Sequence, residues 1–462
     1  MNGKELIIAA LKNEETPRPA WLPFVGVHGA YLQNVTAEQY LKSPELIVQG
    51  LRKAYELYNP DALPVVFDLQ IEAEILGCSL LWSAEVPPAV INHPLVNKRI
   101  EELPALTERS GRIPLIIKAM DELVEQMGEN IAFYGLICGP FTLALHLLGN
   151  DLFFKMFEDP EYIKKVVDYC AETASKMADI YIRHGATAVA VVDPMTSQIS
   201  PDHFNEFVTD PVNKVFNFIR NQGAFSSIFV CGDVTRNLEA MCRLHADNVS
   251  VDEQIPMDML CELAQNNHKS FGGNIKLTSV LLLGDEDSTK IEILDILDKS
   301  GRRGFILSPG CDLPYGVPQK NLQAVSLMVH DEYQRNIARI SLKGKKTGFN
   351  FDITLPDYSS KDEVTIDVIT LDSASCAPCQ YMMEAVKRAA EVYQGKLVIN
   401  EHKIKGRDGL AMMMKLGVKN LPTIVIDGEI SFASIIPDKN TLVKAIEKKA
   451  AQKSRQSVKP VN

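Results

Sequence analysis

Eight short apolar runs, most of them followed by a helical pattern, constrain this chain more than any other feature. They are AWLPFVGV (20–27), ALPVVFD (62–68), IAFYGLICG (131–139), ATAVAVVD (187–193), FSSIFVCG (225–232), NVSVDE (248–253), KSFGGNI (269–275) and GFILSPGC (304–311). Segments such as DYCAETASKMADIYIRH and TRNLEAMCRLH lie between them with helical spacing. A strand that is apolar almost throughout is buried on both faces, which is the condition of a parallel sheet covered by helices. The runs therefore predict an α/β chain led by a (β/α)8, TIM-like barrel whose first connections are long.

Polar residues are not spread evenly along these runs. They gather at the C-terminal ends, as Asp68, Cys138, Asp193, Cys231, Asp252, Glu253, Asn274 and Cys311. A barrel carries its active site at that rim. Stability alone gives no reason to place cysteines and carboxylates there. Asp193, Asn274 and Asp68 are therefore expected to orient or act on a substrate, each with loop capping as its plainer role. His28, next to glycine after the first run, is a reserve metal ligand.

With 462 residues the chain exceeds one ordinary core, so at least two domains are expected. The net charge of −11 argues against a general nucleic-acid or anionic-membrane partner. No apolar run is long enough to span a bilayer, and the N-terminal MNGKELIIAALKNEE reads as a short amphipathic helix and not a secretory signal. Nine scattered cysteines with a single close Cys-x-x-Cys fit a reducing, cytoplasmic setting, in which cysteines serve as metal ligands or redox groups.

The pattern changes after Val329. Residues 1–335 are assigned to the barrel, 336–363 to a polar linker or small extension with a flexible stretch around Lys343–Lys346, 364–447 to a second domain and 448–462 to a basic, frayed tail. In the second domain SCAPCQYMME puts Cys376 just before a helix and Cys379 one turn inside it. The helix N-terminus favours a thiolate, and the spacing lets the two sulfurs meet. Half of a zinc site is the minority alternative for this pair. The Met run AMMMK (411–415) is read as core and groove packing. The order Cys-x-x-Cys, helix, strand, helix, Pro-Thr-strand, strand, helix over 364–447 resembles the thioredoxin family. That resemblance implies that Pro422 lies beside the redox pair. The chain departs from it in having Ser375, and not tryptophan, before the first cysteine.

In the barrel region, FDLQIEAEILGC (67–78), CGPFTLALHLLG (138–149), FVCGDVT (229–235), GGNI (272–275) and GFILSPGCDLP (304–314) together resemble the uroporphyrinogen decarboxylase superfamily. More narrowly they resemble its corrinoid-dependent branch, which includes methylcobamide:coenzyme M methyltransferases. ETPRPAWLPF at the N-terminus lacks the arginine-rich segment with which the decarboxylases grip tetrapyrrole carboxylates. The branch implies a zinc ion held by His-x-Cys and a distant Cys. Cys231 and Cys311 match the two cysteines, but Phe229 stands at the histidine position. Glu253 or Glu72 is expected to take the missing place. Zinc would keep a thiolate reactive at neutral pH or polarise a methylated heteroatom. No corrinoid-binding DxHxxG segment is present in the chain, so the methylcobamide is expected on a separate carrier protein. A small-molecule thiol or methyl donor and a thiol–disulfide reductant complete the expected partners. Two further readings stand beside this one: a redox or binding protein whose barrel has lost its metal, and a tetrapyrrole decarboxylase.

Overall fold

All eight apolar runs form strands of one parallel sheet. They are β1 (Ala20–Trp21), β2 (Ala62–Pro64), β3 (Ala132–Cys138), β4 (Ala188–Val192), β5 (Phe225–Val230), β6 (Asn248–Val251), β7 (Ser270–Ile275) and β8 (Phe305–Pro309). Each pairs with its sequence neighbour from β2 to β8, and β8 returns to pair with β1. This is a TIM-like barrel. The computed structural model describes residues 1–345, 353–360, 363–373 and 376–456. It divides into two units, Met1–Thr347 and Gly348–Asn462.

The seam between β1 and β2 is drawn shut by one residue. The Asp61 N–H donates to the Trp21 carbonyl at 2.8 Å, and the Asp61 carboxylate accepts from the Trp21 N–H at 2.9 Å. Arg18 grips the same carboxylate with two N–H groups, at 2.6 and 2.7 Å. Helix α1 (Gly3–Leu11) opens with a capping box between Asn2 and Glu5, which satisfies its first N–H groups. Its Leu6, Ile7, Ala10 and Leu11 join the barrel core.

Inside the barrel the period of two along each strand sets the layers. Ser227 and Phe229 of β5, Asn248 and Ser250 of β6, and Ile306 and Ser308 of β8 line one small enclosed space. Its polar groups chain together. Ser227 donates to Asn248 at 2.8 Å, Asn248 to Ser270 at 2.9 Å, and Ser270 to the Gly304 carbonyl at 2.8 Å.

The second unit is built on β9 (Glu363–Thr370), which pairs in parallel with β10 (Lys396–Lys403) and antiparallel with β11 (Thr423–Ile426). Strand β12 (Glu429–Ala433) closes the sheet beside β11. Val364, Ile366 and Val368 face helix α2 (Ala377–Val392) and the helix Lys439–Gln456, while Ile369 faces the helix Arg407–Lys415 through Met412. In the Met run, Met412 is buried and Met413 packs on that cluster, but Met414 is exposed.

Helices continue past two of the limits read in the sequence. Residue 335 falls inside the helix Glu332–Ser341 and not at a boundary, because the Arg335 guanidinium is buried against the Met328 and Val329 carbonyls. At the other end the helix Lys439–Gln456 runs through what composition marked as a frayed tail, with Lys453 paired to Asp427 at 2.8 Å. Of the linker lysines, Lys345 pairs with Asp287, and Lys346 lies outside the described residues.

Candidate active site at the barrel rim

Cys231 follows β5 on the inward-facing line of Ser227 and Phe229, and Cys311 follows β8. The strands that carry them are separated by β6 and β7, yet the two Cα atoms are 5.8 Å apart and the sulfurs are joined as a disulfide. Both cysteines are partly exposed, above the apolar core.

The loops that bring them together are anchored. The Gly310 N–H donates to the Ile275 carbonyl and the Leu313 N–H to the Phe24 carbonyl. The Asp312 carboxylate accepts from the Gly26 N–H at 2.9 Å. Gly310 is required by proximity, since a Cβ there would meet the Glu253 nitrogen at 2.7 Å. Gly232, with φ +110, takes a conformation that L side chains rarely adopt.

Directly beneath this pair lies an aromatic cluster. The Phe229 ring stacks on Phe24 with centroids 4.7 Å apart and meets Phe67 edge-on at 6.1 Å. Residue 229, where the resemblance implies a metal-binding imidazole, is therefore fully buried hydrocarbon.

The expected carboxylate ligands are committed elsewhere. Glu72 accepts the Cys138 N–H at 2.9 Å, and burial, reinforced by nearby Asp68, pushes its pKa up to about 7. Glu253 accepts the Leu277 N–H, with burial and the Asp252 charge pushing it up to about 8. Asp252, raised to about 6 by burial, holds the Gly232 and Gln254 N–H groups. His28 uses both ring nitrogens, on the Tyr315 carbonyl at 3.0 Å and the Tyr58 hydroxyl at 2.8 Å. Burial lowers its pKa to about 4. Among the described residues no group of three or more His, Cys, Asp or Glu side chains is placed to hold a metal ion.

The other rim residues act on the backbone. Asp193 caps the helix Pro140–Leu148, accepting from the Phe141 and Thr142 N–H groups at 3.1 and 2.8 Å and from the Thr142 hydroxyl at 2.6 Å. This helix follows β3, so the cap reaches across from the neighbouring strand and does not serve the turn after Asp193 itself. Asn274 donates to the Asp252 and Ile255 carbonyls at 3.1 and 2.6 Å, which fixes the loop after β6. Asp68 accepts the Gln70 N–H and pairs with Arg112 at 2.6 Å. The same guanidinium holds Glu74 at 2.7 Å and lies over the Trp82 ring at 4.9 Å. Sequence reasoning missed Arg112. Its signal was indirect: Asp68, predicted on the rim, and Glu74 six residues on are two carboxylates that call for a cation.

In the second unit Cys376 is the N-cap of α2 and partly exposed, whereas Cys379 is fully buried. The Cys379 thiol lies 2.6 Å from the Cys376 sulfur and accepts the Leu371 N–H at 3.3 Å. Burial, then the contact with Cys376, pushes the Cys379 thiol well above its ordinary range. The Leu421–Pro422 bond is cis. Ser375 lies outside the described residues.

The family model for uroporphyrinogen decarboxylase matches residues 2–332. The chain belongs to the uroporphyrinogen decarboxylase family. A thioredoxin domain model matches residues 364–447, so this family member carries a thioredoxin-like unit C-terminal to its barrel in sequence. Among similar curated proteins is the methylcobamide:CoM methyltransferase MtbA of Methanosarcina acetivorans, 25% identical over 334 residues, which span 69% of this chain and 95% of that protein. The methylcobamide:CoM methyltransferase MtaA of Methanosarcina barkeri is 26% identical, over 63% of this chain and 85% of its own. A uroporphyrinogen decarboxylase of Prochlorococcus marinus is 24% identical over 68% of this chain and 93% of its own. The solved structure of a methyltransferase from Methanosarcina mazei covers 74% of this chain and 99% of its own, with a TM-score of 0.65 at 23% identity, which establishes the shared fold. No helix among the described residues of this uroporphyrinogen decarboxylase family member is long and apolar enough to cross a membrane.

Proposed function

We propose that this chain is a corrinoid-dependent methyltransferase. It moves a methyl group between the cobalt of a methylcobamide, presented by a separate carrier protein, and a small thiol or methylated small molecule. The observation that carries the reading is the convergence of Cys231 and Cys311 on the C-terminal rim of a barrel whose relatives include proteins named methylcobamide:CoM methyltransferase. The step asks for a sulfur nucleophile at the mouth of the barrel. As the thiolate sulfur of the small-molecule acceptor, its proton given up to solvent, attacks the methyl carbon, the S–C bond forms, the cobalt–carbon bond breaks and its electron pair stays on cobalt.

A zinc ion is what the methyltransferase branch implies for these cysteines. The residues present do not fit it as a three-ligand site, because Phe229 is apolar and stacked, and Glu72, Glu253 and His28 are each bonded to other groups. No step is therefore routed through a metal. In this reading Asp193, Asn274 and Asp68 are positioning residues that shape the rim. The thioredoxin-like unit is a dithiol module, with Cys376 and Cys379 keeping the barrel thiols or a substrate thiol reduced.

Phe229 also favours a second reading, a redox protein whose barrel has lost methyl transfer. Reduced protein incubated with methylcobalamin and 2-mercaptoethanesulfonate separates the two. Loss of the methylcobalamin spectrum, with a methyl thioether found by mass spectrometry, supports methyl transfer. That activity should disappear in Cys231→Ser. Absence of transfer from wild type to this acceptor and to a panel of small thiols would favour the redox reading.

A further inference from the structure

We infer that Cys231 and Cys311 are a second redox-active dithiol–disulfide pair, standing where the family's methyltransferase branch has its metal centre. The inference does not depend on methyl transfer, since it concerns only the oxidation state of these two sulfurs.

The backbone brings the pair within bonding reach. A Cα separation of 5.8 Å lies inside the range of roughly 4.4–6.8 Å that disulfides span. Anchored loops impose this separation: Asp312 on Gly26, Gly310 on Ile275 and Leu313 on Phe24 on one side, and Asp252 on Gly232 on the other. Both residues also reach the surface in part. Cys231 and Cys311 are partly exposed, whereas Cys78, Cys138, Cys170 and Cys242 of the same unit are buried.

The surroundings remove the alternative. Two thiolates alone hold zinc poorly, because its structural and catalytic sites use at least three protein ligands. The side chain below Cys231 on the strand is Phe229, locked between Phe24 and Phe67. The nearby carboxylates hold backbone N–H groups that would be orphaned if they turned to a metal. Among the described residues no third ligand joins this close, partly exposed sulfur pair, which opens two-electron chemistry to it.

The exchange balances with a dithiol of the Cys-x-x-Cys class as reductant. Its thiolate attacks one barrel sulfur, the S–S bond breaks, and the other barrel sulfur leaves as a thiolate that takes a proton. The second thiol of the reductant, losing its proton, attacks the mixed disulfide and frees the remaining barrel thiolate, which takes that proton. The barrel gains two electrons and two protons, and the reductant becomes a disulfide.

The test uses the full chain carrying Cys376→Ser and Cys379→Ser, so that the barrel pair is read alone. The protein is equilibrated with glutathione buffers and with dithiothreitol, its free thiols are alkylated, and peptides are identified by mass spectrometry. We expect peptides containing Cys231 and Cys311 to be linked under oxidising buffer and both alkylated after dithiothreitol, in a reversible two-electron transition of the native protein. Zinc is measured on protein purified without oxygen, and none should be retained at one per chain. A pair that stays reduced in oxidised glutathione would overturn the inference. So would a disulfide that native protein keeps in excess dithiothreitol, or stoichiometric zinc that Cys231→Ser loses. Methyl transfer enters none of these readouts, so the inference and the proposed function fail separately.

Discussion

Phe229 stacks on Phe24 with ring centroids 4.7 Å apart, two residues before Cys231, which follows the strand that carries Phe229. Phe229→His would place an imidazole on the line of the two sulfurs and remove a fully buried phenyl ring. Loss of that packing without metal should cost about 3–5 kcal/mol, by analogy with Phe→Ala in cores. Zinc should then restore stability by mass action, because only the folded state offers all three ligands. Thermal melts of the reduced variant with and without zinc check this. A variant whose melting temperature ignores zinc would show that residue 229 cannot reach the metal.

Arg112 is the single cation between Asp68, whose side chain is fully buried, and Glu74. Arg112→Leu leaves the Asp68 carboxylate uncompensated and should cost about 3–5 kcal/mol. Arg112→Lys should lie between the variant and wild type, since an ammonium lacks the fork that holds both carboxylates. Adding Asp68→Leu to Arg112→Leu should return part of the loss. Urea denaturation of wild type, Arg112→Leu, Asp68→Leu and the double variant measures the coupling, and additive effects would refute it.

Asp193 is buried, and its folded-state pKa of about 6 lies above its ordinary 3.8. Folding therefore favours its protonated form. The stability gained in this way is complete below about pH 4 and is lost as the pH rises through about 6. Asp193→Asn does not titrate, so wild type should exceed it most at the acid end. The gap should shrink by up to about 3 kcal/mol between pH 4 and pH 7. Asp193→Ala, which strips the cap from the helix Pro140–Leu148, should likewise cost most at the acid end, with a gap that shrinks over the same range because alanine does not titrate either. A gap that widens with pH would show that the cap is stronger in its charged form than burial allows.

Cys376 should be the attacking thiol of the second unit and Cys379 the resolving one. Cys376 is partly exposed at a helix N-cap, and Cys379 is buried. Iodoacetamide should label Cys376 first. Cys379→Ser should trap a mixed disulfide through Cys376, and Cys376→Ser should trap none. Peptides bearing Cys231 or Cys311 in the trapped species would identify the barrel as the module's substrate. Earlier labelling of Cys379 would reverse the two roles.

The barrel was legible because strands buried on both faces announce a parallel sheet under helices, and eight of them are the number that closes such a barrel. The rim was legible as a place and less so as chemistry. Cys231 and Cys311 could be set on one rim from strand ends alone, and their distance then followed from anchored loops. Asp193, Asn274, Glu72 and Glu253 were visible as polar residues in apolar contexts. Sequence does not distinguish a carboxylate free to meet a substrate from one already holding backbone N–H groups, because the partners lie on other strands. Arg112 lay 44 residues from Asp68, with no local pattern to announce it. That helices continue past 335 and 448 was not legible for a related reason, since composition registers polarity but not the specific partners that keep a polar helix in place.

The Asp61 latch has a mechanical meaning. β1 and β2 share no strand ladder, and one side chain with one N–H does the joining. A cylinder fastened at a single rivet opens there first. The segment before Asp61 is then the natural place to cut the chain for a circular permutant, and the first amides to exchange with solvent should be those of Trp21 and its neighbours. Breathing of this seam would loosen Phe24, three residues on, and with it the floor on which the two sulfurs rest.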